Sequence, residues 1–221
     1  MSVRSRSADW LQRLACGAVQ RAWALAEEYG RVSAARPGRL RFARIGDGVC
    51  IAFPPGAIFG EEYIEIGAGT LVAAQVSISA GFLPGQDLGA APVVTIGSRC
   101  SIGRGSHIVG HRSIAVGDDV FIAPYVYVTD QNHSYDTPRE PIGRQPPVNR
   151  PVVIGDGCWL GTGAIVLPGT RLGRNVTVAG GAVVRGEFPD HCVIAGVPAR
   201  IVRRYVPDRG WLPGPSTQEK T

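Results

Sequence analysis

Few residues in this chain have side chains suited to catalysis. There are four histidines (His107, His111, His133, His191) and five scattered cysteines with no C-x-x-C spacing. His133 stands out because it sits in a polar run, Asp130-Gln131-Asn132-His133-Ser134-Tyr135. A free imidazole, with pKa near ~6.5, is mostly neutral at pH 7 and can take the proton of an attacking hydroxyl. Asp130 or Asn132 is expected either to orient that ring or to shape the loop through side-chain-to-backbone bonds. Three histidines would suffice for zinc by count. A zinc site also needs convergence and an open position, and no metal is expected. His107 and His111 are expected at the surface or at a subunit interface. No serine or cysteine stands out as a nucleophile.

The net charge is +5, and all but one of the 23 basic residues are arginine, spread along the chain. Nucleic-acid binding calls for a concentrated basic stripe on a recognisable module, and neither is present. A few arginines gripping a phosphorylated cofactor is the more economical reading. No apolar run approaches the ~20 residues of a membrane span. Arg4 and Arg6 are not followed by a signal-type apolar stretch, so a cytoplasmic protein is expected.

These residues must be held by something, and a six-residue period dominates the sequence. Aliphatic residues recur at Ile154, Leu160, Val166, Leu172, Val178 and Val184, with an earlier series at Ile96, Ile102, Ile108 and Ile114. A two-residue slip then leads to Val116, Ile122 and Val128. A more ragged series holds Ile45, Ile51, Ile66, Val72 and Ile78. Two positions before each late anchor stand Val152, Cys158, Ala164, Thr170, Val176 and Ala182. Residues i and i−2 of a strand share a side, so each hexapeptide offers two inward side chains and a corner. Period six excludes an α-helix and a heptad coil. It predicts an all-β solenoid with three hexapeptides, 18 residues, per turn. Glycine at 30 of 221 residues suits the many corners. Cys100 and Cys158 occupy inward positions and are expected to be structural.

The predicted organisation is an N-terminal helix and linker (1–44), a solenoid (45–203) with inserted loops at 79–93 and 129–150, and a tail (204–221). Within 8–29, Leu11, Ala15, Ala18, Ala22 and Leu25 line one helical face. This helix is expected to pack on the end of the solenoid or on a neighbour. The end of the tail is expected to be disordered.

The hexapeptides, the D-Q-N-H-S-Y loop (130–135), the run V-V-I-G-D-G-C-W-L-G (152–161) and the ending A-G-V-P-A-R-I-V-R (195–203) together resemble the left-handed β-helix acyltransferases. Within that family the chain resembles the galactoside, maltose, xenobiotic and polysaccharide O-acetyltransferases. The resemblance implies a left-handed coil and a homotrimer with active sites between subunits. It also implies direct acetyl transfer from acetyl-CoA to a hydroxyl of a saccharide, a small-molecule or glycan acceptor. The looped-out histidine, here His133, would be the general base, and a backbone N–H would meet the oxyanion. By position, Trp159, Gly161, Thr162 and Gly180 would line the pantetheine arm, with Trp159 turned outward. Arg185, Arg200 and Arg203 would meet the CoA phosphates; Arg185-Gly186 replaces a common Thr-Lys, which leaves that corner open. N-acetylation of an amino sugar is the nearest rival. A carbonic-anhydrase-like metalloenzyme and a non-catalytic scaffold are more distant ones.

Overall fold

The structure, a computed structural model, describes residues 3–214, with side chains from Asp9 onward. From residue 44 the chain visits three parallel sheets in turn. The first face stacks Arg44–Ile45, Ile64–Ile66, Val94–Ile96, Ile114–Val116, Val152–Ile154, Arg171–Leu172 and Glu187–Phe188. The second stacks Cys50–Ile51, Leu71–Val72, Ser101–Ile102, Phe121–Ile122, Trp159–Leu160, Thr177–Val178 and Cys192–Gly196. The third stacks Ile58–Phe59, Ser77–Ala80, His107–Gly110, Tyr127–Thr129, Ile165–Val166 and Val183–Val184.

The register agrees with the sequence period. Ile154 pairs with Leu172, Leu160 with Val178 and Val166 with Val184, each 18 positions on. All six of these aliphatic anchors are buried, and so are the inward partners Val152, Cys158, Ala164, Thr170, Val176 and Ala182. One continuous core therefore runs from Val49 to Ala199. Each fully buried aliphatic side chain contributes about 1.5–3 kcal/mol. The Cys158 thiol donates to the Gly173 carbonyl at 3.1 Å, and burial pushes its pKa up to about 11. A thiol protonated at neutral pH is a packing group and not a nucleophile.

Coils approach so closely that some corners admit no side chain. A Cβ on Gly161 would lie 2.6 Å from the backbone nitrogen of Gly180 on the next coil. The long interruptions of the 18-residue turn among the described residues lie at one edge, where the chain leaves the third face for the first. Residues 81–93, His111–Ser113 and 130–151 all emerge there. The two-residue slip is the middle one of these. Val94–Ile96 and Ile114–Val116 are 20 positions apart in register, and the surplus sits at His111–Ser113.

Two details of the flanking segments go beyond what the sequence specified. The first concerns the helix, which runs Val3–Tyr29 and does not lie along the coil. Trp10, Leu11, Leu14, Val19, Leu25 and Tyr29 are exposed, and contact is confined to its C-terminal end, where Trp23 and Phe53 rings are 6.1 Å apart. The second concerns the tail, whose start is ordered. Ala199–Val206 turns back antiparallel on Cys192–Gly196 and pairs with Gly210–Pro213, closing one end of the second face. The expected disorder at the end of the tail falls on residues outside those described. Among the described residues, no helix is long and apolar enough to cross a membrane.

Candidate functional site

The longest excursion is a hairpin and not an irregular loop. Gln131–His133 pairs antiparallel with Pro147–Asn149, with Gln131 opposite Asn149 and His133 opposite Pro147. A short 3-10 turn, Ile142–Arg144, lies at its outer end. Gln145 ties this end together: its amide donates to the carbonyls of Thr137 (3.0 Å) and Glu140 (2.9 Å) and accepts from the Thr137 N–H (3.1 Å).

The root of the hairpin is fixed by Asp130. This carboxylate is completely buried. It accepts the backbone N–H groups of His111 (2.8 Å), Arg112 (2.7 Å) and Ser113 (2.6 Å). The slip of two residues creates a corner whose donors cannot join a sheet ladder, and Asp130 satisfies them from the next coil. The His111 ring lies beside it, with Nδ1 3.6 Å from the carboxylate, and packs tilted against Phe82, with ring centroids 4.4 Å apart. That distance is too long for a hydrogen bond. The nitrogen is buried and has no other partner among the described residues. Burial alone would raise the Asp130 carboxyl; the imidazole and the three N–H groups outweigh it and hold the pKa below the ordinary carboxylate range. On its other flank the Arg150 N–H donates to the Asp130 carbonyl at 2.7 Å, so both strands of the hairpin start from one fixed point.

His133 stands at the free end of this strand, exposed. It opens on a cleft of about 220 Å³ lined by Asn132, Ser134, Tyr135, Asp136, Val148, Arg150, Leu167, Pro168 and Arg185. The cleft therefore spans three successive coils along the excursion edge. Ser134 donates its hydroxyl to the Asp136 carboxylate at 2.9 Å, which fixes one wall. An imidazole at the mouth of a small polar cleft is placed to accept a proton from a hydroxyl bound there.

The remaining residues singled out from sequence are distributed as follows. Asp130 is bonded to the 111–113 corner and not to the His133 ring, and Asn132 accepts the His133 backbone N–H at 3.1 Å. Both are therefore engaged with backbone. Arg185 shares the His133 cleft. Trp159 faces outward on the second face, half exposed, between Phe121 and Thr177. Gly161 is buried in the stacking contact with Gly180, while Thr162 is exposed and its carbonyl accepts the Gly181 N–H at 2.9 Å. Arg200 and Arg203 lie on the terminal hairpin, and the Arg203 guanidinium sits 6.0 Å over the Trp211 ring. None of these six, Trp159, Gly161, Thr162, Gly180, Arg200 and Arg203, lines the cleft. His107 is exposed beside Tyr127, but the His111 ring, expected at the surface, is almost wholly buried. Among the described residues no group of three or more metal-ligating side chains converges. The sequence reading missed Tyr135, Asp136, Arg150 and Leu167-Pro168. The available signal was positional, because all follow a third-face anchor, Val128 or Val166.

Residues 151–186 match the family model described as bacterial transferase hexapeptide (six repeats), and residues 93–130 match hexapeptide repeat of succinyl-transferase. WbbJ of Escherichia coli K12, named as an O-acetyl transferase of lipopolysaccharide biosynthesis, is 42% identical over 106 residues, 45% of this chain and 54% of WbbJ. Galactoside O-acetyltransferase of E. coli K12 is 31% identical over 113 residues, 48% of this chain and 55% of that protein. The chain thus spans about half the length of these relatives. Among solved structures, AntD, an N-acyltransferase from Bacillus cereus in complex with dTDP and coenzyme A, superposes with a TM-score of 0.66. It is 18% identical, and the alignment covers 79% of this chain and 90% of AntD. At that identity the likeness shows the fold alone.

Proposed function

We propose that this chain, a member of the hexapeptide-repeat transferases by its two matched segments, transfers an acetyl group from acetyl-CoA to a hydroxyl of a saccharide or similar acceptor. The observation that carries this reading is His133, held at the mouth of a polar cleft by a hairpin rooted on a buried carboxylate. The O-acetyltransferase names of the matched relatives agree with it. The coil is left-handed on this reading, as the family resemblance implies.

His133 removes the proton from the acceptor hydroxyl as its oxygen attacks the thioester carbonyl. The C–O bond forms, the tetrahedral oxyanion is met by a backbone N–H, and collapse breaks the C–S bond. The proton on His133 then passes to the departing thiolate, which leaves free CoA. Attack is direct, because the described cysteines of the coil core are inert. Trp159, Thr162 and Gly180 bind the pantetheine arm, and Arg200 and Arg203 hold the phosphates. The protein acts as a homotrimer with its sites between subunits. N-acyl transfer is the second reading, because a base that takes a proton from an attacking hydroxyl can equally take one from an attacking amine.

The test is calorimetry of acetyl-CoA and CoA with the purified protein, then thiol release against a panel of sugars and amino sugars. Micromolar binding with release on hydroxyl acceptors supports the proposal. Release with amino acceptors alone transfers the assignment to N-acylation. No binding of either nucleotide overturns the transferase reading.

A further inference from the structure

Among the described residues, four arginines on the coil surface are paired across coils and others, Arg104 and Arg112 among them, are not; Arg150 and Arg185 differ from the latter in sharing one cleft. Arg44, Arg99, Arg171 and Arg174 each pair with a carboxylate of the adjacent coil, Glu65, Asp119, Glu187 and Asp190 respectively. Arg150 and Arg185, which share the His133 cleft, have no such partner among the described residues. Arg150 is nevertheless held in place. Its N–H is bonded to Asp130, its carbonyl accepts the Gly169 N–H at 3.2 Å, and its stem crosses the next coil at Gly169. A Cβ at Gly169 would lie 3.4 Å from Arg150 Cδ, so the stem passes over this bare corner, and Arg150 lines the same cleft as Arg185. Among the described residues, the only carboxylate lining the cleft is Asp136, already engaged by Ser134. Two guanidinium groups against one occupied carboxylate leave the cleft positive.

We infer that Arg150 and Arg185 form an anion site beside His133, filled by a carboxylate or phosphate of the acceptor, so that the acceptor is an acidic or phosphorylated sugar. This rests on the transferase reading above. The same chemistry is present on CoA, but its phosphates are separated from the thioester by the whole pantetheine arm. An anion within one small cleft of the base therefore belongs to the molecule carrying the attacked hydroxyl. This takes Arg185 from the donor, where sequence position put it, to the acceptor. The cleft, about 220 Å³, is below the 300–1,000 Å³ of drug-sized sites and suits a single sugar ring. Guanidinium forks bind carboxylate and phosphate in two-point fashion, which would orient the ring toward His133.

The experiment titrates the full-length protein with glucose, glucuronate and glucose 6-phosphate in the absence of any acyl donor. One or both charged sugars are expected to bind at least tenfold tighter than glucose. R150A/R185A should abolish that preference, R150K/R185K should restore part of it, and R144A, outside the cleft, should keep it. Equal binding of charged and neutral sugars, or a preference that survives R150A/R185A, overturns the inference. A donor arm compares acetyl-CoA with S-acetylpantetheine, which lacks the phosphates. If R150A/R185A weakens only acetyl-CoA, the pair belongs to the donor and the inference fails. Absence of thiol release with every acceptor sinks the transferase reading, while the donor-free titration still decides the anion site.

Discussion

At the scale of single residues, His133 and Asp130 divide the work of the site. His133 is exposed at the cleft mouth and is the base of the proposed reaction, whereas Asp130 is buried, with its carboxyl held below the ordinary carboxylate range. Replacing His133 with alanine should lower kcat by about 10²–10⁴-fold, the usual worth of a general base, with acetyl-CoA affinity by calorimetry unchanged. Near-normal turnover would remove the base assignment. Replacing Asp130 with alanine orphans three backbone N–H groups, each worth about 1–3 kcal/mol when left unsatisfied, so urea unfolding should show a loss of about 3 kcal/mol or more. The pH dependence has a defined sign. The folded-state pKa of Asp130 lies below its unfolded value of ~3.9. Its contribution is complete above that value and is lost as pH falls through the folded pKa. Thermal melts of wild type should therefore weaken below about pH 4, and Asp130→Ala should flatten part of that slope. The sequence drew attention to Asp130 through its nearness to His133. It could not show that the carboxylate faces the preceding coil, because that depends on which corner it meets 17 to 19 residues back.

Among elements, the strand and corner of each hexapeptide were the most legible part of the chain. Period six determines which residues point inward, and every late anchor is buried as expected. Period six says nothing about an excursion, whose conformation depends on pairings within itself. Residues 129–150 thus read as a polar loop, although Gln131–His133 and Pro147–Asn149 make a ladder. The helix was legible as a helix, but its neighbours were not, since an apolar stripe does not name what covers it. Gly161 illustrates a further limit. It was matched to a cofactor position, yet its close approach to the Gly180 backbone is sufficient reason for glycine. Gly161→Ala should cost about 1–3 kcal/mol by forcing two coils apart, measured by chemical denaturation. An unchanged midpoint would show that the corner can open without penalty.

For the molecule as a whole, stacking confers a rigid prism on which one edge carries the irregular segments. Sedimentation should give a particle of three times the 23.4 kDa chain mass if active sites are shared between subunits. A monomer at micromolar concentration would confine the site to the single-chain cleft. The terminal hairpin has a wider consequence. A stack of parallel strands offers unpaired N–H and C=O groups at its last rung, ready to template another chain. Here Ala199–Val206 and Gly210–Pro213 run antiparallel across that rung of the second face, so its outermost strand no longer matches the repeat beneath it. The hairpin thus changes the edge that the second face presents at this end. Without it, the last rung would present the same parallel edge as every coil beneath it, the geometry on which a fibril grows.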